Sequence, residues 1–154
     1  MKTFIALIYC LTMCISSLAQ SKNDLLFQNV ENNKIADVRS ILKSGGDVNH
    51  FVEAKSPYVK VNLLITAVNI KSVEMAQLLL DNKADINWKD GFNNRAIYYA
   101  ARSGNLDMVK LLLKYGASVN DKDGNGNPVL ISAKESQNKE VISFVEAKLK
   151  ENTK

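Results

Sequence analysis

One pattern in this chain, three leucines followed by a short polar segment and an asparagine, returns in the same register. Leu78–Asn87 reads LLLDNKADIN, and Leu111–Asn120 reads LLLKYGASVN. A fainter copy, Ile41–Asn49, precedes the first of these by a slightly longer interval. The period of about 33 residues lies within the range of roughly 20 to 50 residues typical of solenoids, in which each unit buries its apolar face only against its neighbours. The repeat therefore predicts a solenoid, and it directs the search for function to the surface of the chain.

The unit that ends with the second full copy has the pattern of two short helices. The first is predicted from about Ala96 to Arg102, and Gly104 favours a break after it because glycine adopts the left-handed backbone that ends helices. The second begins near Leu106, where the acidic Asp107 suits the positive end of the helix dipole, and it ends at Gly116. Its apolar residues follow helical spacing: Leu106, Val109, Leu112 and Leu113.

These residues resemble an ankyrin repeat, whose pattern includes Thr-Pro-Leu-His, Ala-Ala, Gly, a Val/Leu-rich helix and Gly-Ala-Asp-x-Asn. The matching positions are Ala100, Ala101, Gly104, Val109, Leu111–Leu113, Gly116, Ala117 and Asn120. Arg95–Tyr98 replaces Thr-Pro-Leu-His, which removes the usual hydrogen-bonded start of the first helix. The resemblance implies an all-α ankyrin-repeat solenoid of helix-turn-helix units, with units at about 24–49, 62–87, 90–120 and 123–149.

The first and last units are predicted to be capping repeats. The first has a polar outer face, as the solubility of a solenoid end requires, and in the last Glu146 stands where a third leucine would be. In the second unit Lys71 replaces the turn glycine. The longer first interval requires an insertion of about five residues within His50–Val61. This insertion is either a binding loop or a loop beside the capping repeat whose length has varied without a function. No segment of the chain has a pattern that predicts a strand.

Residues 1–19 have the pattern of a signal peptide. Lys2 gives a positive start, Phe4–Ile15 is mostly apolar, and small residues at Ser17 and Ala19 predict cleavage between Ala19 and Gln20. An uncleaved membrane anchor is one alternative, but the run is shorter than the roughly 20 residues that span a bilayer.

Both cysteines, Cys10 and Cys14, lie in this segment. A lipoprotein is a second alternative for that reason, although neither cysteine follows a small residue. Cleavage would leave no thiol, which excludes disulfides and cysteine-based metal or nucleophilic sites. The net charge of +4 is mild and its lysines are scattered among acids, so a nucleic-acid partner is not predicted.

The signal segment and the lysine- and asparagine-rich remainder indicate export into a bacterial envelope. The periplasm is the predicted destination, with secretion as the alternative. After cleavage the chain is predicted to be a monomer without stable membrane insertion.

The chain lacks the residue clusters that catalysis or metal binding requires. His50 is the only histidine, and it is predicted to be a solvated loop residue because no second His or Cys lies nearby. Asp121–Gly126 fits the first half of a calcium loop, but its twelfth position is Ser132 rather than Glu. The repeat register explains the same segment as a turn. No enzyme activity, no cofactor and no metal site are predicted, with weak calcium binding at this segment and an unusual hydrolase left as alternatives.

The partner of an ankyrin-repeat protein usually contacts the connector tips and first helices, so the resemblance implies a set of contact residues. They are Asn69, Ile70, Trp88, Lys89, Gly91, Phe92, Asn94, Arg102, Ser103, Asp121, Lys122, Gly124, Asn125 and Asn127, to which the insertion adds Phe51 and Tyr58. Trp88 and Phe92 are predicted anchors of the interface because aromatic side chains bring large contact area at little entropic cost. The alternative is that they pack onto a neighbouring tip. Tyr98 occupies the position of the family histidine and is predicted to be structural.

The sequence thus predicts a non-catalytic protein–protein interaction module that binds another protein through its tips and concave face. Two alternatives stay open, a structural or accessory envelope protein without a dedicated partner and a toxin-neutralising, immunity-type protein.

Overall fold

The computed structural model describes residues 22–53 and 60–151. The predicted signal peptide and Tyr58 lie outside the described residues. The elements are α1 (22–31), α2 (Ile35–Lys43), β1 (Phe51–Glu53), β2 (Lys60–Asn62), α3 (Leu63–Asn69), α4 (Val73–Asp81), α5 (Ala96–Arg102), α6 (Leu106–Lys114), α7 (Val129–Glu135) and α8 (Lys139–Glu151).

The helices pair within each unit and stack between units. α3 packs against α4, α5 against α6 and α7 against α8. α3, α5 and α7 stack on one another in one layer, and α2, α4, α6 and α8 stack in a second. This arrangement confirms the predicted all-α solenoid of helix-turn-helix units. The capping role of the first and last units stays a prediction.

A continuous core lies between the two layers. Its members recur with the repeat: Met75 and Met108 are fully buried, and so are Leu79 and Leu112. The pair Ala100–Ala101 is also fully buried, and its small side chains let α5 pack closely against its neighbours. Replacing a buried leucine with alanine costs about 2 to 5 kcal/mol, so this core contributes strongly to the stability of the stack.

Side-chain caps start some of the helices, whereas α2, α5 and α7 begin without one. The sequence predicted this for α5. The side-chain oxygens of Asn62, Ser72 and Asn105 accept hydrogen bonds from backbone N–H groups three residues later, at 2.8, 3.3 and 3.0 Å. Arg95 precedes α5 without a side-chain cap. The helix forms all the same because most of its residues are buried against adjacent helices, and such packing supplies most helical stability in proteins.

The expectation that the chain has no strands was wrong for the insertion. β1 and β2 form an antiparallel pair in which Phe51 lies opposite Asn62, and Val52 opposite Val61. Both valines are partly buried against the core, while the carboxylate of Glu53 pairs with the ammonium of Lys60 at 2.8 Å on the other face. Such short strands do not show the alternation that identifies a strand in sequence.

His50 was also predicted wrongly. Its side chain is only 14% exposed, and its Nε2 lies 3.8 Å from an Asp24 carboxylate oxygen on α1. It directly precedes β1, so the strand pairing holds it close to the first helix instead of leaving it in a solvated loop.

Left-handed backbone recurs at the turn between the two helices of every unit. The residues are Asn33, Lys71, Gly104 and Gln137, with φ values of 54°, 59°, 67° and 58°. The interval from Asn33 to Lys71 is the longer one seen in the sequence pattern, and the two intervals after it are the shorter one. The turn is therefore the same in all four units, although only one of them has the glycine that tolerates it without steric cost.

We expect Lys71→Gly to stabilise the protein. Glycine removes the steric penalty of the left-handed conformation, and after its entropic cost in the unfolded chain the free energy of unfolding should rise by about 0.5 to 1 kcal/mol. Urea unfolding monitored by circular dichroism measures the change. Arg39→Gly, on the exposed side of α2, is the matched control and should lower the free energy of unfolding by about 1 kcal/mol. A destabilising Lys71→Gly would contradict the assigned turn.

Candidate binding surface

The third tip, residues 88–94, is a turn built around one carboxylate. Asp90 Oδ1 accepts hydrogen bonds from the backbone N–H groups of Phe92 and Asn94 at 2.8 and 2.9 Å. Its other oxygen accepts a hydrogen bond from the hydroxyl of Tyr99 on α5. Asp90 is buried, and these bonds tie the turn to the helix layer. The result is a fixed loop that holds Phe92 outward, 57% exposed.

The fourth tip, residues 121–127, repeats this turn at the equivalent positions of the next unit. Asp123 Oδ1 accepts hydrogen bonds from the N–H groups of Asn125 and Asn127 at 2.9 and 2.8 Å. Burial raises the pKa of the Asp123 carboxyl, but the donors from Asn127 and Asn125 outweigh it, so that the pKa lies below its usual value. Both acids of this segment thus have a role in the turn that the repeat register predicts. Asp123 accepts the hydrogen bonds that close the turn, and Asp121 pairs with Arg95 at 3.1 Å.

The two tips touch each other directly. A Cβ atom on Gly124 would lie 2.0 Å from the carbonyl oxygen of Phe92, a distance at which the backbones would have to separate. The N–H of Gly124 also donates to the side-chain oxygen of Asn94 at 3.5 Å. Together with the pair between Arg95 and Asp121, these contacts make one continuous surface of the third and fourth tips.

Trp88 packs onto the neighbouring insertion instead of projecting outward. Its ring centroid lies 6.0 Å from that of Phe51, at an interplanar angle of 38°, and its side chain is partly buried. The ammonium of Lys60 lies 5.5 Å from the Phe51 ring centroid. Trp88 thus packs onto a neighbouring part of the chain, as the alternative to an outward-facing anchor predicted. Phe92, in contrast, has the exposure expected of a contact residue. Binding by either side chain stays a prediction.

The other predicted contact residues divide into two groups, and Ser103 belongs to neither. Asn69 and Ile70 lie at the end of α3, where they line a groove with Val52 and Val61 of the insertion. Those on or beside the third and fourth tips are Lys89, Gly91, Asn94, Arg102, Asp121, Lys122, Gly124, Asn125 and Asn127. The hydroxyl of Ser103 donates to the carbonyl of Ala100 at 3.0 Å and closes its own helix.

A small polar pocket lies between α5, α7 and the fourth tip, with a volume of about 180 Å³. The sequence prediction included four of the residues around it, Asn94, Arg102, Asn125 and Asn127, and missed the remainder. The missed residues are Tyr98, Tyr99, Asp123, Ser132 and Glu135. Ser132 and Glu135 occupy the positions of Tyr99 and Arg102 one repeat later, so adding one repeat period to the predicted helix end would have found Glu135.

Two tyrosines beside this pocket have raised pKa values. Burial is the main cause of the raised pKa of Tyr98. The nearby carboxylates of Asp121 and Asp123 raise this pKa further, and the opposing effect of Arg95 is smaller. Burial also raises the pKa of Tyr99, assisted by its hydrogen bond to Asp90. The guanidinium of Arg102 lies 5.1 Å from the Tyr99 ring centroid.

Within residues 22–53 and 60–151, no group of three or more His, Cys, Asp or Glu side chains could hold a metal ion. None of the helices in that part of the chain is long and apolar enough to cross a membrane.

The two tyrosines predict a loss of stability in alkali. Their ordinary pKa is 10.0 in the unfolded chain and higher in the folded one, so above about pH 10 unfolding releases protons and the free energy of unfolding falls as pH rises. Urea unfolding between pH 9 and 11.5 should show this decline, and Tyr98→Phe should reduce its slope. Equal slopes in the wild type and the variant would contradict the environment assigned to Tyr98.

Comparison with known proteins agrees with this architecture. The family model for ankyrin repeats, which comprises three copies, matches residues 26–123 and, in an overlapping match, 63–149. A search of curated proteins finds no match. The two family matches together span well over half of the chain, and repeats of this family are generally protein–protein interaction modules. This chain is therefore a member of the ankyrin-repeat family.

Proposed function

We propose that this protein is a non-catalytic binding protein that holds another protein against its third and fourth tips and its concave face. The observation that carries the proposal is Phe92, a large apolar side chain that is 57% exposed on a turn fixed by Asp90. Exposed aromatics at the centre of a contact surface often supply most of the binding free energy.

The rigidity of the surface supports the proposal. Each tip is closed by a carboxylate that accepts two backbone hydrogen bonds, and the tips contact each other at Gly124. A surface that is already ordered loses little conformational entropy when it binds, so more of the contact free energy appears as affinity. With few internal repeats, the footprint should be about 800 Å² per partner or less.

Export of the chain as a monomer into a bacterial envelope belongs to the same proposal. It is supported by the charged start, apolar run and small residues of positions 1–19. The periplasm is the proposed site of action, with secretion as the alternative.

We expect Phe92→Ala to lower the affinity for the partner at least tenfold, because truncating an aromatic anchor typically costs about 2 kcal/mol or more. The folded state should be little affected, since the ring is mostly exposed. Partners are first captured from envelope extract with the wild-type protein and identified by mass spectrometry, and their affinities are then measured with purified components. Leu25→Ala on α1 is the matched control, because Leu25 is 51% exposed and lies outside the proposed surface.

Unchanged affinity in folded Phe92→Ala would overturn the assignment of this surface. Absence of any saturable partner would favour the alternative of a structural envelope protein.

Cleavage of the signal segment should leave Gln20 at the N-terminus of the exported protein. Intact-mass measurement of the protein from a periplasmic extract tests this. Ala19→Phe places a bulky residue at the position where signal peptidase requires a small one, so this variant should keep its full N-terminus. Wild-type protein that retains Met1 in the membrane fraction would favour the uncleaved anchor.

A further inference from the structure

The pocket between α5, α7 and the fourth tip has the chemistry of a binding site. Both its walls and its rim carry polar side chains, and its volume of about 180 Å³ equals that of roughly six water molecules or the end of one long side chain. Its position beside the third and fourth tips places it within the surface proposed above for the partner.

The charges around the pocket favour a cation. Asp123 and Glu135 supply two carboxylates against the single guanidinium of Arg102. That guanidinium lies over the ring of Tyr99. The side chain of Glu135 makes no hydrogen bond or ion pair with another described residue, so its carboxylate is available to a ligand.

Tyr98 gives a second and independent indication. Its side chain is only 4% exposed, it lines the pocket, and its hydroxyl has no hydrogen-bond partner within the described part of the chain. A buried hydroxyl without a partner is costly and uncommon in folded proteins. A ligand that donates a hydrogen bond to this oxygen would remove the cost.

We propose that this pocket binds the cationic end of a lysine or arginine side chain that the partner protein inserts into it. The ammonium or guanidinium donates to the carboxylates of Asp123 and Glu135 and to the hydroxyl oxygen of Tyr98. Charge-assisted hydrogen bonds of this kind are about twice as strong as neutral ones. The inference rests on the proposed function for the source of the cation, but the site itself can be tested without the partner.

Analogues of the two side chains test the site directly. The full chain is expressed with ¹⁵N label, and the protein is purified in the form that the cells produce, with or without the signal segment. It is then titrated with n-butylammonium and n-propylguanidinium while amide chemical shifts are recorded. We expect saturable shifts at Asn127, Ser132 and Glu135, in the millimolar range. Neutral 1-butanol and anionic butyrate have similar shape and should bind at least threefold more weakly.

Three variants separate the pocket from the remainder of the surface. Tyr98→Phe and Glu135→Gln should each weaken binding of n-butylammonium about three- to tenfold, and Tyr98→Phe should not lower the melting temperature. Glu140→Gln on α8 changes the net charge equally and should leave the affinity unchanged. Equal binding of 1-butanol, shifts located elsewhere, or unchanged affinity in both pocket variants would overturn the site.

The same variants distinguish failure of the pocket from failure of the proposed function. A partner that binds wild type, Tyr98→Phe and Glu135→Gln equally, but binds Phe92→Ala weakly, would overturn the inserted cation and leave the proposed function standing. Selective n-butylammonium binding without any protein partner would overturn the proposed function and the partner as the source of the cation.

Discussion

The stacking of each first helix on the next is the contact on which the remainder of the candidate binding surface depends. α5 packs against both α3 and α7, and its Ala100–Ala101 pair is fully buried between neighbours. Because the tips precede these helices directly, the distance between helices also sets the distance between tips. Small side chains at this interface therefore bring the backbone of Gly124 to the carbonyl of Phe92.

Polar contacts then fix the tips on that apolar base. Asp90 connects its turn to α5 through the hydroxyl of Tyr99, and Arg95 at the start of α5 pairs with Asp121 of the following tip. An exposed ion pair contributes little to stability, but this pair is about four-fifths buried on both sides. Its main effect is to hold one tip at a fixed position relative to the next, which is the property that a preformed binding surface needs.

Features that are local in sequence were predictable, and features that form between segments were not. The glycines and leucines of the third unit gave the bounds of α5 and the start of α6, which the structure confirms. The left-handed turns at Lys71 and Gln137 could be identified only by register, since neither residue requires that conformation. Pairing of Phe51–Glu53 with Lys60–Asn62 depends on contacts across the insertion. The pocket likewise forms only where α5, α7 and the fourth tip meet. The sequence of no single segment could therefore predict that the hydroxyl of Tyr98 has no hydrogen-bond partner within the described residues.

The third and fourth units of this chain share the residues that shape their turns and differ in residues that the turns and helices expose. The residues that shape the tips and helix starts are identical at equivalent positions of the two units: Asp90 and Asp123, Gly91 and Gly124, Asn94 and Asn127, Asn105 and Asn138. Exposed residues at equivalent positions differ: Phe92 becomes Asn125, and Arg102 becomes Glu135. Arg102 and Glu135 are both exposed, so packing in the core does not dictate the charge at either position. Such differences on identical turns give the two units different exposed side chains, which suits the proposed recognition of an asymmetric protein surface.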